Sequence, residues 1–195
     1  MKRYSFLPFL LFHHRIRTTS MLLIAALALI LAGCRATTPQ ETVEGESEMP
    51  IKITTPAFSE GGVIPKPYTC DGVNHSPQLD WTGIPQGTLS LALIADDPDA
   101  PAGTWVHWVL YDLPPDLTGL AEATRGTGIQ GKNDFRNLGY GGPCPPKGST
   151  HRYYFKLYAL DTLLKLQEGA SKADVEKAMR GHILAQGQLM GKYSR

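Results

Sequence analysis

Three common catalytic signatures are missing from this chain of 195 residues. It contains no His-Glu-x-x-His and no Gly-x-Ser-x-Gly, which are the patterns of the commonest zinc proteases and serine hydrolases. Its three cysteines, Cys34, Cys70 and Cys144, are too far apart to form a Cys-x-x-Cys redox or zinc motif. These absences exclude the enzyme classes that short motifs identify most directly.

The chain also lacks an excess of charge of either sign. It has 19 basic and 18 acidic residues, and residues 51–195 contain 14 of each. No basic stripe of the kind that binds nucleic acid is present, so we expect no nucleic-acid partner. One Gly-x-Gly-x-x-Gly match, Gly126–Gly131, neither follows a strand nor begins a helix, so it does not indicate a dinucleotide site.

No apolar run is long enough for a comfortable membrane span of about 20 residues. The longest, Met21–Ala32, follows four basic residues and no acidic one, which is the layout of a signal peptide. It leads into "LAGC", which resembles a bacterial lipobox and implies a signal peptide over 1–33 and lipid attachment at Cys34. The alternative is an ordinary secretory leader or signal anchor with an incidental cysteine.

Two further parts of the chain follow this leader. Residues 34–50 are rich in Thr, Glu and Pro and poor in apolar residues, which predicts a flexible tether between the lipid and a single domain over 51–195. An exported domain permits disulfides, so Cys70 and Cys144 are interpreted either as a disulfide or as buried thiols. The sequence does not choose between the two.

Short apolar runs separated by turn residues predict an antiparallel β-sandwich over 51–195. The runs are "IKIT" at 51–54, "QLDW" at 78–81, "LSLALIAD" at 89–96, "WVHWVLYDL" at 105–113, "RYYFKLYAL" at 152–160 and "HILAQGQLMGKY" at 182–193. One amphipathic helix is expected to begin after Ser171, with Asp174 completing its N-terminal cap. The connection over 118–150 is long and rich in Gly and Pro, and loops of that length are usually functional.

Two histidines lie at strands beside proline-stiffened loops. The turn "DDPDAP" places Asp97 and Asp99 on either side of a proline, and His107 lies on the next strand, while His151 begins another strand after "YGGPCPPKGST". A buried histidine needs a hydrogen-bond partner, so we expect the acids to orient the imidazoles. The arrangement predicts a small anion pocket, with Asp96 pointing away from it.

These motifs are also recognisable as a set. "DPDAP" at 97–101, "HW" at 107–108, "YGGPCPPKG" at 140–148 and "HRY" at 151–153 resemble the signature regions of the phosphatidylethanolamine-binding protein family. "IPKPYTCDGVNHSPQLDW" at 64–81 resembles its bacterial, Raf kinase inhibitor-like branch, in which Cys70 and Cys144 are also features. The resemblance covers essentially all of 51–195.

The resemblance implies a fold and a site. The fold is an all-β, Greek-key-type sandwich of two antiparallel sheets with one or two short peripheral helices. The implied ligand-binding residues are Asp97, Asp99, His107, Gly142, Pro143, Pro145, His151 and Tyr153. A cis peptide bond is implied between Ala100 and Pro101.

The function expected from the residues and the resemblance together is non-catalytic binding of phosphate or a phospholipid headgroup, without cofactor or metal, at the bacterial envelope. Two alternatives stay open. One is a protein-interaction or inhibitor module that uses 118–150 as its contact surface. The other is an enzyme in which the two histidines and the carboxylates form a metal triad or an acid/base pair.

Overall fold

The computed structural model describes residues 51–195. The predicted signal peptide, the lipid attachment at Cys34 and the tether over 34–50 all lie outside the described residues. Within 51–195, no helix is both long enough and apolar enough to cross a membrane.

Eight strands, one α-helix and one 3-10 turn make up the described part of the chain. The strands are β1 (Lys52–Thr54), β2 (Leu79–Thr82), β3 (Ser90–Asp97), β4 (Trp105–Leu113), β5 (Gly119–Leu120), β6 (Ile129–Gln130), β7 (Thr150–Leu160) and β8 (Ile183–Ser194). The helix α1 spans Lys172–Met179, and the 3-10 turn spans Lys66–Tyr68. Every strand predicted from an apolar run is confirmed, and 118–150, expected as an unbroken loop, carries the two short strands β5 and β6.

The strands form two antiparallel sheets. The smaller sheet has the order β1-β2-β5 and the larger has the order β6-β4-β3-β7-β8. Residues of both sheets meet in one hydrophobic core, in which Ile53, Trp81, Leu93 and Phe155 are buried together. The predicted architecture of two antiparallel sheets with one or two short helices is confirmed.

Alternation along β7 explains how the larger sheet is covered on both faces. Tyr153, Phe155 and Leu157 face the core between the sheets. Helix α1 covers the other face and buries Val175 and Met179 there. Because side chains alternate along a strand, the large central strands are buried on both sides.

The helix begins as the sequence predicts. The Ser171 side chain accepts a hydrogen bond from the Asp174 amide, and the Asp174 carboxylate accepts one from the Ser171 amide. This reciprocal cap satisfies two amides that the first helical turn leaves without partners. The chain leaves the helix through Gly181, whose φ of +79° suits glycine, and enters β8.

The turn after β3 differs from the expectation at one peptide bond. No peptide bond within 51–195 is cis, so the cis bond implied for Ala100 and Pro101 is wrong. The chain reverses instead through Gly103, whose amide donates to the Ala100 carbonyl at 3.1 Å and whose φ is +103°. A glycine in that conformation completes the turn with the proline in its intrinsically favoured trans form.

Candidate functional site

A β-bulge on β4 decides where His107 points. In the pairing of β3 with β4, Ala95 lies opposite Trp108 and Asp96 lies opposite Val106, so His107 is the extra residue. The His107 ring lies 5.2 Å from the Tyr153 ring, on the inner side of the larger sheet. Trp108 points to that side as well. Consecutive side chains of a regular strand point to opposite sides, so two neighbours on one side require the bulge.

His151 and Asp97 form the central pair of the site. The Nδ1 atom of His151 lies 2.7 Å from Oδ2 of Asp97, and both side chains are buried. The other oxygen, Oδ1 of Asp97, accepts the Asp99 amide at 2.8 Å and so fixes the carboxylate in the turn. The expectation that an acid of this turn orients a histidine is confirmed for His151.

For His107 the expected partner is wrong. Its Nδ1 atom lies 2.6 Å from the Gly141 carbonyl oxygen, and no carboxylate among residues 51–195 forms a hydrogen bond or ion pair with the ring. The turn that carries Asp97 bonds to the neighbouring strand β7, whereas the loop after β6 brings Gly141 to the bulge. Because a carbonyl only accepts, Nδ1 of His107 carries the proton. Burial lowers the pKa of His107, which favours the neutral ring.

Asp99 holds an arginine rather than a histidine. Its carboxylate accepts the Arg152 amide at 2.9 Å and the Arg152 guanidinium at 2.6 and 2.9 Å. The hydrogen bonds from Arg152 lower the pKa of Asp99 to about 2. The Asp99 side chain therefore ties the acidic turn to the start of β7 and forms no hydrogen bond to either imidazole.

Asp96 points away from the site, as predicted. Its carboxylate binds Lys156 at 2.8 Å and Lys172 at 2.6 Å on the side of the sheet that α1 covers. The ion pairs link the helix to the central strands. The three acids of "DDPD" thus have three separate roles, set by the direction in which each side chain leaves the strand or turn.

A cavity of about 260 Å³ opens between these residues. It is lined by Asp97, Ala100, Pro101, Trp105, His107, Phe135, Cys144, Pro145, Pro146 and His151. Four of the eight predicted binding residues therefore line it: Asp97, His107, Pro145 and His151. The other four, Asp99, Gly142, Pro143 and Tyr153, do not line it. Of these, Gly142, Pro143 and Tyr153 support its walls.

Tyr153 supports the cavity from behind His107, with the two rings edge to face. Its hydroxyl is buried and has no hydrogen-bond partner among residues 51–195. Burial, and then the nearby negative charge of Asp97, raise the pKa of Tyr153, so the phenol stays protonated.

The disulfide between Cys70 and Cys144 holds one wall of the cavity. The sequence leaves open whether these cysteines form a disulfide or stay as buried thiols, and in the structure they form the disulfide. Beside it the Cys70 amide donates to the Pro143 carbonyl at 3.1 Å, and the Gly142 amide donates to the Asn74 side chain at 2.8 Å. A Cβ atom at Gly142 would collide with the Tyr68 backbone and Asn74, so only glycine fits there.

Sequence reasoning missed the aromatic part of the lining. Phe135 packs edge to face against both Trp105 and His107, with ring centroids 5.4 Å apart in each case. The available signal was Phe135 itself, a large apolar residue alone in the polar stretch "GKNDFRN". Within residues 51–195, no group of three or more His, Cys, Asp or Glu side chains is arranged to hold a metal ion.

Comparison with known proteins agrees with this geometry. The family model for phosphatidylethanolamine-binding protein matches residues 54–194, which include both halves of the site. The chain belongs to the phosphatidylethanolamine-binding protein family. The match covers nearly all of the described domain and leaves the predicted leader and tether outside it.

Relatives and solved structures support the assignment. A UPF0098 protein of Methanothermobacter thermautotrophicus is 54% identical over 151 residues, which are 74% of this chain and 99% of the relative. The structure of CT736 of Chlamydia trachomatis, described as a homolog of the phosphatidylethanolamine-binding protein, is 44% identical with a TM-score of 0.72, over 75% of this chain and 98% of that one. YbcL of Escherichia coli, described as a member of the mammalian family, is 31% identical with a TM-score of 0.70, over 75% and 99%.

Proposed function

We propose that the domain is a non-catalytic binding protein whose cavity takes a phosphate group, either free or as part of a phosphorylated headgroup. One observation carries the proposal: the buried His151 and Asp97 pair lines the cavity with its imidazole held through Nδ1 alone. No residue among 51–195 bonds to Nε2 of His151 or of His107. Each ring therefore has a free nitrogen for a ligand.

The hydrogen bonds at the site indicate which form of the phosphate fits. With Nδ1 of His151 donating to Asp97, Nε2 becomes a donor only when the ring is protonated, and the ion pair is then neutral overall. A phosphate oxygen can accept from that N–H in a short, charge-assisted bond. The site then has a donor for an anion without an excess of negative charge.

The second histidine complements the first. Neutral His107, with its proton on Nδ1 toward Gly141, offers Nε2 as an acceptor. A phosphate that carries one proton has both an anionic oxygen for His151 and a P–OH group for His107. We therefore propose that the monoprotonated phosphate group is the form bound.

The lining supports binding rather than turnover. It contains no Ser, Thr or Lys, and the sulfur of Cys144 is held in the disulfide, so the lining offers no hydroxyl, thiol or amine nucleophile. Apart from Asp97, Cys144 and the two histidines, the lining consists of Ala100, three prolines, Trp105 and Phe135, which can pack against an apolar or methylene group next to a phosphate.

Calorimetric titration of the full-length protein with inorganic phosphate and with phosphoethanolamine tests the proposal. His151→Asn keeps an amide donor at the position of Nδ1 and removes Nε2, so we expect at least a tenfold loss of affinity. His182→Asn is the matched control because His182 contacts Asp161 at the same 2.7 Å on the surface. Absence of binding heat for the wild type, or equal affinities for the two variants, would refute the proposal.

We also propose that Cys34 anchors the domain at the bacterial envelope. The support is the "LAGC" sequence after a basic and apolar leader. Partitioning of the full chain from bacterial cells into detergent, with Cys34→Ser as the variant, tests it. The wild type should enter the detergent phase and the variant should not; an identical distribution of both would reject the anchor.

A further inference from the structure

A second cleft lies beside the candidate site and has a different character. Its volume is about 460 Å³, compared with about 260 Å³ for the cavity at His151, and the two have no lining residue in common. The bulge on β4 separates them, because His107 lines the first and Trp108 lines the second. Ligand sites in proteins commonly have volumes of about 300 to 1,000 Å³.

The cleft is preformed. The segments 73–76 and 123–126 both line it, and a hydrogen bond from the Ala123 amide to the Ser76 carbonyl, 3.0 Å long, joins them. Its floor includes Tyr140, whose hydroxyl donates to the Tyr68 carbonyl at 2.8 Å. A ligand would therefore meet walls that are already in place.

Ser76 and Arg125 line the cleft, and neither side chain has a hydrogen-bond or ion-pair partner among residues 51–195. The Ser76 hydroxyl is buried without a hydrogen bond among residues 51–195, although buried hydroxyls are nearly always bonded. Arg125 lines the cleft and forms neither an ion pair nor a side-chain hydrogen bond within the same residues. An arginine without a carboxylate partner is suited to a carboxylate or phosphate ligand.

The nearest acid on the same segment is already engaged. The Glu122 carboxylate accepts from the Tyr68 hydroxyl at 2.8 Å and lies 3.1 Å from Nε2 of His75. Glu122 therefore has its own partners, Tyr68 and His75. Among the residues that line the cleft, Arg125 is the only Lys, Arg, Asp or Glu.

Two large apolar side chains line the cleft and are exposed. Val73 is 78% exposed and Leu138 is 51% exposed. They leave apolar surface in water beside an uncompensated cation. The combination fits a ligand with an anionic head and an apolar body, since burying that body against Val73 and Leu138 is favourable.

We propose that this cleft is a second binding site, for a small amphipathic organic anion whose carboxylate or phosphate head binds Arg125 and whose apolar body covers Val73 and Leu138. Ser76 lies in the wall of the same cleft, and its buried hydroxyl is an unused hydrogen-bonding group there. This site is separate from the phosphate site at His151 and does not depend on it.

Amide chemical-shift titrations of the full-length protein test the proposal with four probes: octanoate, octyl phosphate, inorganic phosphate and octanol. Octanoate or octyl phosphate should perturb the amides of Ser76, Arg125 and Leu138, and which of the two binds more tightly identifies the head group. Inorganic phosphate lacks the apolar body and octanol lacks the charge, so both should bind at least tenfold more weakly at these amides.

Variants separate the cleft from the phosphate site. Arg125→Gln should weaken binding of the better amphiphile about tenfold or more, and Ser76→Ala should weaken it by a smaller factor. Arg136→Gln is the matched control, since Arg136 is an exposed arginine outside both linings. His151→Asn should leave binding in the cleft unchanged, so failure of the phosphate site does not affect this test.

Three results would overturn the proposal. The first is equal affinity of Arg125→Gln and wild type for octanoate and octyl phosphate. The second is binding of octanol as tight as that of the anions. The third is perturbation confined to the amides around Asp97 and His151, which would assign the amphiphile to the phosphate site.

Discussion

Two histidine and aspartate pairs in this protein have the same geometry and different surroundings. Nδ1 of His151 lies 2.7 Å from Asp97, and Nδ1 of His182 lies 2.7 Å from Asp161. The side chains of the first pair are 7% and 4% exposed, and those of the second are 47% and 45% exposed. The contact distance therefore does not distinguish a candidate site from a surface ion pair.

The surroundings make the difference. The His182 pair connects the end of β7 to the start of β8, where the Asp161 amide also donates to the His182 carbonyl at 3.0 Å. The His151 pair is buried beside a cavity, so water screens its charges less and its free ring nitrogen is left for a ligand. The four predictions below test this comparison, from the largest expected effect to the smallest.

Replacing both Cys70 and Cys144 by serine should have the largest effect. The bond joins residues 74 apart in sequence, so its loss frees the unfolded chain and should lower the free energy of unfolding by about 4 kcal/mol, measured in urea. In native-state hydrogen exchange, the Gly141 amide, which bonds to His107, should lose more protection than the Asp161 amide, which bonds to His182. Equal losses at the two amides would contradict a local role for the disulfide at the site.

His151→Ala and His182→Ala compare the pairs directly. The first change leaves the Asp97 carboxylate buried without its imidazole, and we expect the free energy of unfolding to fall by about 3 kcal/mol. The second removes an exposed pair and should cost less than about 1 kcal/mol. Urea unfolding in phosphate-free buffer measures both, and similar values for the two variants would show that burial does not separate the pairs.

His107 should make stability depend on pH. Its pKa is lowered by burial, so below the ordinary value of about 6.5 the unfolded chain takes up the proton more readily than the folded one. The stability that neutral His107 contributes is therefore complete above about pH 6.5. It is lost as the pH falls below that value toward the lower pKa that His107 has in the folded protein. His107→Asn keeps a donor for Gly141 and removes the titration, so its stability should vary less from pH 7 to pH 5; an unchanged slope would contradict the assignment.

Asp99→Asn should have the smallest effect. Arg152 lowers the pKa of Asp99 to about 2, so this ion pair stabilises the folded state above about pH 4 and is lost as the pH falls toward 2. Because the pair is exposed, thermal unfolding at pH 6 should show a loss below about 1 kcal/mol. Asp116→Asn, at an exposed acid without an ion pair among residues 51–195, is the control. A loss as large as that of His151→Ala would place Asp99 in the site after all.

Local patterns predicted the elements of the fold well. Alternation along β7 and the cap at Ser171 depend on neighbouring residues, so they can be read from the sequence. The pairing of His151 with the acidic turn was also predictable, because a buried histidine requires a polar partner and the turn is rigid.

The other half of the site was not predictable in the same way. His107 lies on a bulge, which depends on the register between β3 and β4, and its partner is a backbone carbonyl 34 residues away. No residue type in the sequence marks a carbonyl as an acceptor for a distant histidine. For the same reason Asp99, which shares a turn with Asp97, could not be assigned to Arg152 in advance.

By itself, the amino-acid sequence determined the two-sheet architecture, the helix and the set of polar residues from which a site could be built, since these depend on periodicity and on the chemistry of single side chains. The tertiary structure decided which of those residues meet in one cavity, which nitrogen of each histidine is free, and that Trp108 and Arg125 belong to a separate cleft. Those outcomes depend on strand register and on contacts between residues more than 30 positions apart in the sequence, and no local pattern contains that information.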